Sequence, residues 1–268
     1  MGKLENYIKE LRASGKRAFT IEQIISIYGM TKASAFNGLS RLKKKGAIVS
    51  PVSGLYVIVP PENQAMGCIP AGDLVPLVMD HWNLEYYVCL LTAALYHGAS
   101  HQKPQQFQVM TTKQRQPIHC GSVYIDFMYK KTLDALPTNK IVVATGYLNV
   151  SSPELTAMDL FLYPSKSGGL NHIATVLAEL VDVIDPAQLI KLAKKSKTHA
   201  WIQRLGYVLE KVIPVDEEKN LQIVAQLHAY IQTIKPAYIL LAPEVPRDNA
   251  ILNKKWKIIE NTTVESDV

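Results

Sequence analysis

Apolar positions recur at helical spacing three times in the first 46 residues of the chain, and the pattern then switches to strand-like runs. Leu4, Tyr7, Ile8 and Leu11 share one stripe and predict a first helix, ended by the breaker pair Ser14-Gly15. Ile21, Ile24, Ile25 and Tyr28 predict a second, with Thr20 and Gln23 spaced as a capping box and Gly29 as its stop. The third lies in TKASAFNGLSRLKKKG, Thr31 to Gly46. Thr31 is its cap, Ala35, Phe36, Leu39 and Leu42 are its expected buried edge, and the closing lysines and Gly46 suit its C-terminal end. AIVSPVSGLYVIVP follows as two β-rich runs around a Pro-Val-Ser-Gly turn, a hairpin signal. Helix, helix, turn, helix, hairpin is the order of a winged helix-turn-helix.

PPENQAMGCIPAGDLVP, Pro60 to Pro76, is rich in proline and marks the expected domain boundary. DHWNLEYYVCLLTAALYHG then predicts one helix, apolar nearly all round and therefore buried, ended by Gly98. QFQVMT, SVYIDFMY and KIVVATGYLNV read as strands, so the middle section is expected to be a small sheet packed on a helix. From Ser152 to about Lys235 the spacing is helical. Ser152-Pro153 and Asp185-Pro186 are cap and first-residue pairs, Asn171 and Thr198 are two further caps, and Leu221, Val224, Leu227 and Ile231 mark a last helix. AYILLA, Ala237 to Ala242, is expected to return a strand to the sheet. The whole is read as α+β: a winged helix-turn-helix over 1–60, a linker over 61–80, a C-terminal α/β domain with a small mixed sheet and several helices over 81–260, and a loose polar tail over 261–268.

Charge sharpens the N-terminal reading. The net charge is +6, yet residues 1–60 hold seven Lys and three Arg against three Glu, a net of +7, and the other 208 residues net −1. A local cationic excess points to a polyanion, because neutralising phosphates releases counterions and supplies most sequence-independent affinity. The 48% hydrophobic and 19% charged content is that of a globular chain long enough for a real core. No run of 18 apolar residues and no signal-peptide h-region occurs, so a cytosolic protein is expected. The Met1-Gly2 start has Asn6 where a myristoylation signal needs Ser or Thr. Cys68, Cys89 and Cys120 are three and far apart, which predicts reduced buried thiols.

In a helix-turn-helix, side chains in the opening turns of the recognition helix reach base edges while nearby cations hold phosphates. Lys32, Ser34 and Asn37 lie off the apolar edge and are the candidates for bases, with Arg41 at the border and Lys43, Lys44 and Lys45 for the backbone. Enzyme motifs fail on spacing. His97 and His101 are four apart, but Gly98 intervenes and no Glu follows His97 as in HExxH. Glu217-Glu218-Lys219 has nuclease-like spacing, yet it follows Pro214 in a charged stretch and has no acidic partner on a strand. Ser167-Gly168-Gly169 lacks phosphate-loop spacing and reads as a turn, and no Gly-x-Ser-x-Gly occurs. Trp82, Tyr86 and Tyr87 are assigned to core rather than to a ligand pocket. No metal and no cofactor are expected.

The winged-helix segment, YYVCLLTAALYHGASHQKPQQFQVMT, SSPELTAMDL and GGLNHIATVLAEL with WIQRLGYVLEKV, in that order, resemble the AbiEi-type antitoxins of bacterial abortive-infection toxin-antitoxin systems over residues 5–242. The resemblance implies a transcriptional autorepressor that binds inverted repeats in its own promoter as double-stranded DNA. It also implies a C-terminal domain countering a nucleotidyltransferase-like toxin without a stable complex, the type IV arrangement used in phage resistance. Carried onto this chain, base reading falls to Lys32, Ser34, Asn37 and Arg41, and phosphate contact to Lys43, Lys44 and Lys45. The SPVSG wing is poor in Arg and Lys where many members are basic, which weighs against a strong wing contribution. For the antitoxic surface, local charge alone suggests Lys194, Lys195, Lys197 and Arg204. Two other readings stay open: a winged-helix regulator whose C-terminal domain senses a small molecule, and a nuclease or nucleotidyltransferase brought to DNA by its N-terminal domain.

Overall fold

A computed structural model describes residues 3–99, 104–212, 218–248 and 250–266. The Met1-Gly2 start, His101, Pro214, Glu217 and the last two residues of the tail lie outside the described residues. The fold is mixed α and β, with N-terminal helices and strands followed by a larger C-terminal domain. The chain divides into two compact units: Met1–Tyr87 with Gln105–Leu133 and Lys140–Asn149, and Val88–Pro104 with Asp134–Asn139 and Val150–Val268.

The first unit begins with helix α1 (Lys3–Ala13), strand β1 (Ala18–Thr20), α2 (Ile21–Tyr28), α3 (Lys32–Lys44), β2 (Ile48–Val52) and β3 (Leu55–Ile58). The three strands form one antiparallel sheet in the order β1-β3-β2. Leu4, Tyr7, Ile8 and Leu11 of α1 are buried against Ile21, Ile24, Ala35, Leu39 and Leu42, as their spacing requires. Thr20 and Gln23 close the capping box, Gly29 ends α2 in the left-handed region at φ 59°, and the Thr31 hydroxyl accepts from Ser34 N at 3.2 Å. Gly38 lets α1 cross closely over α3, since a Cβ there would lie 2.3 Å from Leu4 Cδ1. Strand β1 carries no sequence signal: it is three residues long, and pairing with β3 makes it a strand.

The proline-rich segment read as a linker contains helix α4 (Ala71–Trp82), which buries Leu74, Val75, Val78 and Met79. The single apolar helix expected from Asp80 to His97 is replaced by three elements. Asn83, left-handed at φ 51°, ends α4; β4 (Tyr86–Val88) follows; and α5 (Leu90–Tyr96) starts from a left-handed Leu90. A run buried on every side has the same pattern as strand or helix, so periodicity could not separate them. The remaining strands are β5 (Phe107–Thr111), β6 (Ile118–Cys120), β7 (Val123–Tyr129), β8 (Thr138–Val143) and β9 (Gly146–Ser151), in a six-stranded sheet ordered β6-β7-β5-β4-β9-β8. KIVVATGYLNV, read as one strand, is a hairpin turning at Ala144-Thr145. Tyr86 and Tyr87 are buried, and Trp82 packs on Phe127 under the Arg115 guanidinium. None of the three cysteines is in a disulfide and all are buried, with Cys68 and Cys120 hydrogen-bonded to each other.

The second unit holds α5, α6 (Pro153–Leu162), α7 (Gly169–Leu180), α8 (Pro186–Lys195), α9 (Ala200–Lys211) and α10 (Glu218–Ile234), and then β10 (Ile239–Leu240), β11 (Ile251–Asn253) and β12 (Ile258–Glu260). Helix α6 is central and packs on α5, α7, α8 and α9, which is why its hydrophobic and polar residues alike are buried. The SSPELTAMDL motif supplies the hydrogen bonds that such burial demands. Ser152 Oγ accepts from Leu155 N and donates to Glu154 Oε2 at 2.7 Å, while Glu154 Oε1 accepts from Asp185 N at 2.8 Å. Asp185 in turn caps α8 by accepting from Ala187 N and Gln188 N. One carboxylate thus ties the starts of two helices together.

Several expected details differ in this unit. Gly168, not Asn171, precedes α7, and Asn171 is its third residue; α9 begins two residues after Thr198. Leu221 is 49% exposed, the buried stripe of α10 running instead through Ile223, Val224, Leu227 and Ile231. AYILLA contributes only β10, which pairs in parallel with β12 in a separate three-stranded sheet rather than returning to the six-stranded one. Asn261 is held, its amide donating to Ala242 O and Val245 O at 2.7 Å, and further along Glu265 N donates to Asn171 Oδ1 at 3.3 Å.

That small sheet grips α9. The Trp256 ring packs where Gly206 leaves no side chain, its indole donates to Glu210 Oε2 at 2.6 Å, and the Gln203 amide donates to Ala237 O and Lys257 O, both at 3.0 Å.

Candidate nucleic-acid interface

Helix α3 follows α2 after a three-residue turn and presents one edge, Ala35, Leu39 and Leu42, to the core. Everything opposite that edge is exposed: Lys32, Ser34, Asn37, Arg41, Lys43, Lys44 and Lys45 all reach solvent. No carboxylate lies on the helix. Its surface therefore offers five cations, an amide and two hydroxyls along thirteen residues and the one that caps them.

The structure sorts these residues onto two flanks. Ser34, Asn37, Arg41 and Lys45 recur every three or four positions and share a stripe. That stripe faces α1 across a groove of about 660 Å³, with Leu4 and Met30 also in its wall. Lys43 and Lys44 lie on the other side, with Phe36, Leu39, Ser40 and Tyr56 around a second groove of about 490 Å³. Lys32 opens the helix. So the residues expected to read bases are brought together except for Lys32, and those expected to hold phosphates are split, with Lys45 on the Asn37 side.

Two of the cations already have carboxylates nearby. Lys45 Nζ stands 2.9 Å from Glu5 Oε1 on α1, an exposed pair that tethers the end of α3 to the start of the fold. Glu22 has its carboxyl lowered from the ordinary range by its own backbone N–H, then by the Thr20 hydroxyl, with the charge of Lys32 adding to the effect. The lysine charge of Lys43 also reaches the Cys120 thiol, which is lowered chiefly by the hydrogen bond from Cys68. The wing turn, Ser53-Gly54, carries no cation, and the Ser53 carbonyl meets the His81 ring nitrogen at 3.0 Å.

Phe36 departs from expectation. Read as part of the buried edge, it is 49% exposed. At 100° per residue it sits a quarter-turn from Ala35, and Leu39 and Leu42 fill the core side without it. The helical angle carried this signal, and hydrophobicity alone obscured it.

In the second unit Lys194 and Lys195 close α8 and Lys197 follows, all three exposed. Arg204 does not join them. Its guanidinium donates to Leu240 O and Leu241 O at 3.0 Å, and desolvation holds its pKa below the ordinary value. The His97 ring nitrogen meets Ser151 O at 2.7 Å, which accounts for it as a structural group. Among the described residues no group of three or more His, Cys, Asp or Glu side chains could hold a metal, and no helix is long and apolar enough to cross a membrane.

The family model described as the AbiEi antitoxin C-terminal domain matches residues 86–211. Among solved structures, the RV2827C protein from Mycobacterium tuberculosis superposes with a TM-score of 0.67 at 15% identity, over 98% of this chain and 90% of that one. Comparison with curated proteins returned no match.

Proposed function

With residues 86–211 an AbiEi antitoxin C-terminal domain as the premise, we propose that the chain is a DNA-binding antitoxin that represses its own operon. Its N-terminal winged helix binds inverted repeats in the promoter. Its C-terminal domain counters a nucleotidyltransferase-like toxin without a stable complex, the type IV arrangement, and it performs no catalysis. The observation that carries the DNA-binding half is α3 itself: Asn37 and Arg41 exposed on one stripe, Lys43 and Lys44 on the other, and no acidic side chain on the helix. An amide and a guanidinium in the middle of a recognition helix match the edges of adenine and guanine, and flanking lysines match phosphates. Lys45, paired with Glu5, is a weaker phosphate ligand than its neighbours. Lys194, Lys195 and Lys197 are the proposed antitoxic surface, without Arg204.

Binding to the DNA upstream of its own gene, measured by fluorescence anisotropy, tests the first half. Contact with about six phosphates lowers affinity roughly 10³-fold between 50 and 200 mM salt, and an affinity indifferent to salt contradicts the reading. Co-expression with the toxin encoded beside it tests the second. Reversing the charge of Lys194, Lys195 and Lys197 together should abolish rescue of growth while leaving promoter binding intact.

A further inference from the structure

We propose that the Phe36 ring is a specificity contact that recognises the 5-methyl group of a thymine in the major groove. The inference rests on the DNA-binding reading above and adds a residue and a base to it. Isolated exposed apolar side chains are common on protein surfaces, so exposure alone decides nothing. What distinguishes Phe36 is its setting. It lies in the second turn of α3, five residues after the Thr31 cap, where a recognition helix meets base edges. Half its surface is open, although the core stripe beside it is complete.

The groove it borders has an apolar floor from Leu39 and Tyr56 and a polar rim from Ser40, Lys43 and Lys44. Charge complementarity therefore selects a polyanion as occupant, and an apolar ring between cations requires that polyanion to offer an apolar group close to its phosphates. Phenylalanine has no donor or acceptor, so it cannot read guanine, cytosine or adenine by their polar edges. In the major groove the thymine methyl is the one apolar group among the four bases. Asn37, the next residue, lines the other groove about 100° around the helix, so the methyl contact is assigned to Phe36 independently of Asn37.

The test compares a duplex from upstream of the gene with the same duplex in which uracil replaces every thymine, removing only the methyl groups. Wild type should bind the uracil duplex about fourfold more weakly for each methyl contacted, the fold-change equivalent to burying one methyl group, about 0.8 kcal/mol. Phe36→Ala should bind the thymine duplex more weakly than wild type and show no difference between the two duplexes. Its far-UV circular dichroism should match wild type, because the side chain supports no core contact that its neighbours do not. Wild-type binding that is equal on both duplexes overturns the assignment while the DNA-binding reading stands. An equal loss in wild type and Phe36→Ala overturns it too, since the methyl groups are then read elsewhere. Absence of salt-sensitive binding to either duplex removes the DNA-binding reading and this assignment with it.

Discussion

Replacing Gly206 with alanine in α9 sets two effects of opposite sign against each other. Helix propensity favours alanine over glycine by about 1 kcal/mol. The added Cβ, however, would stand 2.0, 2.4 and 2.5 Å from Cζ3, Cη2 and Cε3 of the Trp256 ring. Carbon atoms pack at roughly 3.5–4.0 Å, so the ring has to retreat by about 1.5 Å. It has little freedom to do so, being fully buried, with its indole held by Glu210 and its own carbonyl and that of Lys257 held by Gln203. Overpacking costs about 1–3 kcal/mol, and pulling the indole from a charged acceptor costs about 1.5–3 kcal/mol. Less the propensity gain, Gly206→Ala should destabilise the protein by about 1.5–5 kcal/mol and lower its melting temperature by roughly 3–20 °C. Urea unfolding followed by tryptophan fluorescence measures this. In the background of Trp256→Leu the same substitution should lose most of its cost, because the clash partner is gone. A neutral or stabilising Gly206→Ala in the wild-type background refutes the packing argument.

Asn37→Ala should cost about 1–3 kcal/mol on the cognate promoter and relax selectivity at one base pair, whereas Lys44→Ala should weaken cognate and random DNA alike; equal losses for both variants on both DNAs would contradict the base-reading role. Glu154→Ala leaves Asp185 N and Ser152 Oγ without their carboxylate, and about 1–3 kcal/mol of stability should be lost in chemical denaturation. The pKa of His97 is lowered by burial. Its contribution to stability is full above the unfolded value near 6.5 and is lost as pH falls through the lower folded value, because the unfolded chain binds the proton first. His97→Gln, which keeps a donor for Ser151 O, should flatten that part of the stability profile below pH 6.5, and an unchanged slope would show that other groups carry it.

The elements fixed by local chemistry were legible in the sequence. The Thr20–Gln23 box, the Thr31 cap, Ser152-Pro153 and Asp185-Pro186 all act where their residue types say they should, because a cap depends on groups three residues away. Elements fixed by distant partners were not. β1 exists because β3 lies beside it, β10 joins β12 rather than the larger sheet, and the Asp80–His97 run breaks where two left-handed residues stand inside a segment buried on all sides. The candidate site follows the same division. Its outward polar face could be listed from helical spacing, but the pairing of Lys45 with Glu5 joins residues 40 apart. The use of Arg204 on the Leu240 and Leu241 carbonyls likewise depends on packing that no local pattern encodes.

The chain passes between its two units at 87/88, 104/105, 133/134, 139/140 and 149/150. Neither unit is a continuous segment, and the stretch matched by the antitoxin family, 86–211, draws on both. A single break in the gene therefore cannot separate them cleanly: a fragment starting at residue 81 keeps strands β4 to β9 yet loses every residue of the first unit before it. Inheritance of the matched stretch by recombination would have to carry the six-stranded sheet along, whereas α1 to β3 form one continuous segment that can be exchanged alone.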